Sequence, residues 1–386
     1  MTDQPRDPAT EVHRVADPSA TRVASYLAQR DEVSRVLLLY SGGLDTSVML
    51  KWIQDEYEAE VVALTVNLGQ PGEDYEVVRG KALRLGALDC HVVDAREEFA
   101  REYVLPAIKA NADYGDGYPL FTALGRPLIA KLAVDYARRT GCDTIAHGCT
   151  GKGNDQVRIE GTVATLAPEL KVIAPVRSWA MGRDEEIAYA RKHGIPVKGG
   201  TEAAPYSIDD NLWGRSSEGK WIEDLLHAPD DDVFQLVTRP ELAPDEAEVV
   251  TVGFEAGVPV SLDGERLEPV ALIDRAAEIG MRHGVGIVDH IEDRIVGLKV
   301  RDIYEVPAAA ILLKAHRELE RLTGTIGLRL FKGSVRVVTR ESPNAVYDAQ
   351  LATFAESGGL FSQQASPGFI ELWSLQSRMA RRLREG

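Results

Sequence analysis

Short apolar runs take turns with helix-period segments through the first half of the chain, and few architectures accept that order. "RVLLLY" (35–40) is apolar without alternation, as a strand covered on both faces must be. "DTSVMLKWIQDEY" then has helical spacing. "AEVVALTVNLG" reads as a strand, "EDYEVVRGKALRLGA" as a helix closed at Gly86, and "DCHVVDA" as a strand. Two helices follow, "REEFAREYVLPAIKANA" and "RPLIAKLAVDYARRTG", the second ending at Gly141. "CDTIAHG" and "KVIAPV" complete the set as strands. Strands that alternate with helices require a parallel sheet with right-handed crossovers, so the fold class is α/β.

After about residue 200 the texture changes to α+β. "EVVTVGFEAGVPVSLDG" and "IGLRLFKGSVRVVTR" read as hairpins turning at Gly257 and at Lys332-Gly333, with the helix "PVALIDRAAEIGMRHG" between them. Four segments are expected: a flexible extension over 1–34, a nucleotide-binding domain over 35–200, a second domain over 201–368, and a C-terminal helix over 369–386. The extension is Pro- and Asp-rich, with a short helix expected near "SATRVASYLAQR". The last helix is amphipathic and arginine-rich, fit for a solvated surface or for contact between subunits.

Charge excludes one class of function. Forty-four basic against 60 acidic residues give a net charge of −16, the opposite of what a nucleic-acid surface needs. No apolar run is long enough to span a bilayer. The N-terminus lacks the apolar centre of a signal peptide, so the chain is expected in the cytoplasm. Cys90, Cys142 and Cys149 have neither disulfide nor metal spacing and are expected as reduced thiols.

Two loops carry the chemistry. "YSGGLDTS" (40–47) lies between the first strand and the first helix, where a parallel sheet receives its ligands. Gly42 and Gly43 allow a sharp turn and close approach, and the opening amides of the helix form an anion site. Ser41, Thr46 and Ser47 add hydroxyls. Asp45 would repel a phosphate unless Mg²⁺ bridges the two. The string has neither the Gly-Lys-Ser/Thr ending of a P-loop nor a GxGxxG. The second loop, "HGCTGKGNDQVRIE" (147–160), opens at the same sheet edge, with three glycines and a dense set of polar groups including the fork of Arg158. His147 could accept a proton or be a structural imidazole, and Cys149 suits small packing better than nucleophilic work.

The first loop resembles the pyrophosphate loop of N-type ATP pyrophosphatases, which cleave ATP between the α and β phosphates. Together with "HGCTGKGNDQVR" it resembles the signature of the argininosuccinate synthase family. "YPL" (118–120), "RPLIAK" (126–131), "PYSIDDNLWGRS" (205–216), "HGVG" (283–286), "IEDR" (291–294) and "IYE" (303–305) follow in the family's order. The resemblance implies a Rossmann-like, adenine nucleotide alpha hydrolase-like domain joined to an α+β synthetase domain. It also implies a ligase that joins citrulline and aspartate through a citrullyl-adenylate, with release of AMP and pyrophosphate. ATP would be a substrate held with Mg²⁺ by Tyr40, Ser41, Gly42, Gly43, Leu44, Asp45, Thr46 and Ser47, with Val66 and Gly148 nearby. Thr150, Asn154 and Asp155 would bind aspartate. Tyr118, Thr122, Asn154, Arg158, Ser207, Ser216, Glu292 and Tyr304 would bind citrulline. Asp45, Lys152, Asp155 and Arg158 would act in catalysis, and relatives imply a homo-oligomer, a tetramer or a dimer.

The sequence departs from the family pattern on the acceptor side. A segment of several tens of residues is absent after Leu322. Asp293 stands for an amide, Val300 for a serine and Asp302 for a glycine. Ala123 stands where some members carry a citrulline-contacting serine, with Thr122 as its substitute. Val176 stands for a tryptophan, and "SSEG" (216–219) is one residue short. A specialised paralogue that adenylates another ureido, amide or carboxylate acceptor is therefore the alternative. A nucleotide-binding sensor without turnover is a further one.

Overall fold

The computed structural model describes residues 28, 30–115, 117–179, 181, 183–196, 206–295, 297–319, 323–344 and 366–385. Chain contacts divide the protein into two units, Met1–Arg340 and Glu341–Gly386.

The first unit begins with a five-stranded parallel sheet in the order β3-β2-β1-β4-β5. Its strands are β1 (Arg35–Leu39), β2 (Glu60–Asn67), β3 (Asp89–Asp94), β4 (Thr144–Ala146) and β5 (Lys171–Ile173). The unbroken apolar runs have a plain cause. Leu37, Val62 and Leu64 point into one core, while Val36, Leu38, Val61 and Ala63 point into another on the opposite face. The central strands β1 and β2 are thus apolar at odd and even positions alike. Helices α1 (Leu44–Tyr57) and α2 (Tyr75–Arg84) connect the first three strands.

The segment 96–109, expected as one helix, is broken into α3 (Arg96–Phe99), a π turn (Ala100–Val104) and α4 (Leu105–Lys109). Leu105 N–H bonds the carbonyl of Ala100, five residues back. Pro106, the next residue, has no N–H to give. Then come α5 (Phe121–Thr140), α6 (Asp155–Leu166), α7 (Pro175–Ser178) and α8 (Arg183–Lys192).

Two antiparallel sheets follow. One has the order β11-β12-β7-β6, built from β6 (Ser207–Asn211), β7 (Gly214–Glu218), β11 (Ile287–Asp293) and β12 (Lys299–Glu305). The other has the order β10-β9-β8-β13-β14. It contains both expected hairpins, β8 (Glu248–Glu255) with β9 (Val258–Leu262), and β13 (Gly324–Phe331) with β14 (Ser334–Glu341); β10 (Glu265–Arg266) is its edge. Helices α9 (Pro269–Arg282) and α10 (Pro307–Leu319) accompany this sheet. The buried residues of α9, Leu272, Ile273, Ala276, Ile279 and Gly280, trace one helical stripe.

The parallel sheet and the β6-β7 hairpin interlock. Leu212 N–H donates to the Leu68 carbonyl at 2.7 Å, and Asn211 Nδ2 to the Phe121 carbonyl at 3.0 Å. Trp213, fully buried, donates from its indole to the Pro119 carbonyl at 2.9 Å. This anchoring explains why one compact unit spans the two expected domains.

The expected boundary near residue 200, the expected short helix near 19–30 (residues 28 and 30 apart), and the shortened segment at Leu322 lie outside the described residues. The end of the expected N-terminal extension is docked, since Ser34 Oγ donates to Asp143 Oδ2 at 2.7 Å. In the second unit α11 (Ser366–Glu385) starts before residue 369. Among the described residues no helix is long and apolar enough to cross a membrane.

Candidate active site

β1 pairs with β2 on one side and β4 on the other, all parallel. The strand order reverses between β1 and β4, so the loops leaving these two strands flank the crevice where such sheets bind ligands. Both sequence motifs lie on those loops.

In the first loop Gly42 has φ +78°, and a Cβ there would lie 2.9 Å from Val78 Cγ2. Lys81 Nζ donates to the Gly42 carbonyl at 2.8 Å and fixes the turn from α2. Ser41 and Thr46 hydroxyls meet at 3.1 Å at the exposed end of the loop. Gly43 is the cap position of helix α1 and supplies no side-chain cap. A helix begins with amides that have no acceptor within it, so this end is suited to an anion. Asp45 is exposed in the first turn.

Two residues of the motif face inward. Ser47 is fully buried and donates from Oγ to the Gly43 carbonyl at 2.5 Å. Tyr40 is buried too, with its hydroxyl 3.0 Å from Ser47 Oγ. These hydroxyls brace the loop from below, because the apolar faces of α1 and β1 enclose them. Leu44 packs beside Val48, Ala190 and Ile195. Val66, expected just beyond the second strand, lies inside β2 and is buried.

The second loop rests on a buried polar network. His147 Nδ1 accepts from Cys149 N–H at 3.1 Å, which puts the ring proton on Nε2, 2.9 Å from Glu160 Oε1. Arg177 binds the same Glu160 oxygen. His147 is therefore a structural imidazole. Burial pushes the Cys149 thiol up to about 12, which removes it as a nucleophile. A Cβ at Gly148 would fall 2.7 Å from Met49 Cε, so this glycine lets the loop touch α1. Gln156 Nε2 donates to the carbonyls of Gly151 at 2.8 Å and Gly153 at 3.0 Å. Thr150 and Lys152 are exposed.

The acceptor-side residues come from strand alternation. Register pairs Ser207 with Glu218, Asp209 with Ser216, Ser216 with Tyr304, Asp302 with His290, and Val300 with Glu292. Directly paired residues share a face. All four residues expected in this region, Ser207, Ser216, Glu292 and Tyr304, therefore lie on one face of one sheet. So do Asp302 and Val300, two of the departures.

That face meets α5 and α6. Asn154 Nδ2 donates to Glu292 Oε1 at 2.8 Å and to the Asp293 carbonyl at 3.1 Å, and its Oδ1 accepts from Ile295 N–H at 2.8 Å. Arg158 reaches Asp155 at 2.8 Å, Thr122 at 3.2 Å and Glu292 at 3.7 Å. Tyr118 and Thr122 hydroxyls are 2.6 Å apart, and the Tyr118 ring lies 4.8 Å from that of Tyr304. Tyr304 donates to Glu292 Oε2 at 2.9 Å.

Sequence reasoning missed two members. Arg126 bonds Asp155 through Nε at 2.6 Å and Asp209 through Nη2 at 2.7 Å. Both residues lie inside motifs quoted above, "RPLIAK" and "PYSIDDNLWGRS", and a cation with an acid there was the available signal. Burial pushes the Asp155 carboxyl up, but Arg126 and Arg158 outweigh it and hold it below its ordinary value.

A switch-point crevice headed by a helix start without a side-chain cap, and facing a polar sheet, is an arrangement suited to a nucleotide-binding enzyme. Family models match nearly the whole chain, the arginosuccinate synthase N-terminal HUP domain over 35–196 and the C-terminal domain over 206–325 and 320–380. The chain belongs to the argininosuccinate synthase family. Argininosuccinate synthase of Rubrobacter xylanophilus is 52% identical, covering 89% of this chain and 94% of the relative. That of Symbiobacterium thermophilum is 46% identical over 89% and 97%, and that of Streptococcus suis 44% over the same shares. The two matches of the C-terminal domain meet at 320–325, beside the shortened segment.

Proposed function

We propose that the protein catalyses ATP + L-citrulline + L-aspartate → argininosuccinate + AMP + pyrophosphate, as in arginine biosynthesis. One observation carries this reading. Asn154, Asp155 and Arg158, on the second loop and α6, form a continuous cluster of hydrogen bonds and ion pairs with Glu292 and Tyr304 on the facing sheet. Three substrates thus have adjoining places in one cleft.

ATP lies along the first loop, its phosphates on the opening amides of α1 and the Ser41 and Thr46 hydroxyls. Tyr40 and Ser47 stiffen that loop from beneath, and Gly148 keeps the second loop close to it. Citrulline occupies the pocket of Tyr118, Thr122, Arg158, Ser207, Ser216, Glu292 and Tyr304. Aspartate binds at Thr150, Asn154 and Asp155. The ureido oxygen of citrulline attacks the α-phosphorus and pyrophosphate leaves. The aspartate amine then attacks the ureido carbon, AMP leaves, and the amine gives up its proton. A ureido oxygen is a weak nucleophile, so positioning and charge neutralisation supply most of the acceleration. Arg158 orients the ureido group and Lys152 offsets phosphate charge.

Among the described residues no three His, Cys, Asp or Glu side chains are grouped to hold a metal. A cation here would take one carboxylate with phosphate oxygens and water, a set that Mg²⁺ accepts. Asp45, exposed beside the phosphate end, is that carboxylate, and the bound ion would neutralise phosphate charge.

Leu372, Leu375 and Met379 are exposed on α11 at i, i+3 and i+7, a stripe that suits contact with a second copy. The reduced thiols suit the cytoplasm. The deciding assay supplies ATP, Mg²⁺, aspartate and citrulline and follows AMP, pyrophosphate and product mass. Formation of ADP, or no product with citrulline, overturns the reading.

A further inference from the structure

Tyr304 has one hydroxyl proton and two carboxyl groups within reach. Its oxygen lies 2.9 Å from Glu292 Oε2 and 3.2 Å from Asp302 Oδ2. Both carboxyls thus meet at one hydroxyl, from neighbouring strands of one sheet face. All three side chains are buried. One proton cannot serve both acceptors, and two ionised carboxylates so placed repel, so one of them carries a proton.

Asp302 is the better holder. Glu292 has donors to support its charge, Asn154 Nδ2 at 2.8 Å and Arg158 Nη2 at 3.7 Å. Asp302 Oδ1 is buried with no hydrogen-bond partner among the described residues. The cation that opposes its burial, Arg294, bonds Glu218 on β7 at 2.8 Å instead. From β11 Asp302 faces His290 and Glu292, and beyond Glu218 lie Asp209 of β6 and Asp155 of α6 with their partner Arg126. A protonated Asp302 turns the surplus acceptor into a donor: its O–H serves the Tyr304 oxygen, while the Tyr304 O–H serves Glu292.

We propose that Asp302 is a positioning residue of the acceptor subsite, which as a neutral acid fixes Tyr304 and Glu292 in the arrangement that receives citrulline. Loss of its proton leaves two carboxylates on one hydroxyl and drives Glu292 from its place. Burial above all, then Glu218 and Glu292, raise the Asp302 carboxyl to about 8, so the loss falls within reach of ordinary assays. The inference rests on the acceptor subsite proposed above.

The test is kcat/KM for citrulline from neutral to alkaline pH, at saturating ATP and aspartate, with melting temperatures checking that each variant folds. The wild type falls above pH about 8, by about tenfold per pH unit for one proton. Asp302→Asn donates but cannot ionise, and it moves that fall upward by more than about one pH unit. Asp302→Ala raises the citrulline KM by about tenfold, the worth of one hydrogen bond, and leaves the ATP KM unmoved. Glu292→Gln is the control for the subsite. If Glu292→Gln leaves the citrulline KM unchanged, the subsite reading fails. If Glu292→Gln raises it while both Asp302 variants keep the wild-type KM and pH profile, the role of Asp302 alone is overturned.

Discussion

Asn154 hands Glu292 a hydrogen bond of 2.8 Å across the cleft, joining the loop after β4 to the edge strand β11. One amide thereby ties the start of α6 to the antiparallel sheet. Asn154→Ala strips a donor from a buried carboxylate, a loss of about 1–3 kcal/mol. Steady-state kinetics should show the KM of citrulline and aspartate rising by about tenfold, with the ATP KM little changed. The melting temperature should fall by a few degrees. Unaltered amino-acid KM values would remove Asn154 from the subsite.

Among the described residues Arg158 makes its polar contacts with Asp155, Thr122 and Glu292, none of them in the first loop. Arg158→Ala should therefore raise the citrulline KM far more than the ATP KM. Equal increases would place this guanidinium on the nucleotide instead.

Asp45 stands exposed beside the helix amides. Asp45→Ala should cut pyrophosphate release by about a hundredfold or more, while AMP binding by calorimetry survives in part. Unchanged turnover would rule out its bridging of a metal to phosphate.

Arg126 supports Asp155 against burial, and the pH dependence of stability reports this. Asp155 is held below its ordinary pKa, so its stabilisation is full above the usual carboxylate range. It is lost as pH falls through the lower folded value. Arg126→Met takes away the largest opposing charge and lets burial prevail. Its acid-unfolding midpoint, followed by circular dichroism, should lie higher than the wild type's by about one pH unit. Coincident midpoints would show that Arg158 alone sustains the carboxylate.

Much of this was legible in the sequence. Runs such as "RVLLLY" announced strands buried on both faces, and each expected strand of the parallel sheet is present. The shared face of Ser207, Ser216, Glu292 and Tyr304 follows from a period of two once register is known, but register is not written locally. The pairing of Arg126 with Asp209 depends on β6 returning to α5 across 83 residues, a tertiary event no window contains. The inward turn of Tyr40 and Ser47 was hidden for a related reason. A hydroxyl in a Gly-rich string reads as a ligand group until the packing around it shows which way it points. The π turn at Ala100–Val104 had a sign in Pro106, whose missing N–H alters the helix just before it.

Because the two nucleotide-side loops spring from β1 and β4, hydrogen-bonded neighbours, their separation is pinned at the spacing of adjacent strands, about 4.8 Å. That end of the cleft can hardly widen or narrow without breaking a ladder. Evolution could retune it only through the atoms that decorate the loops. The opposite wall is an antiparallel sheet that turns every second residue of its strands to one face. Novelty in this enzyme should therefore accumulate on the amino-acid wall, where Val300 and Asp302 already stand.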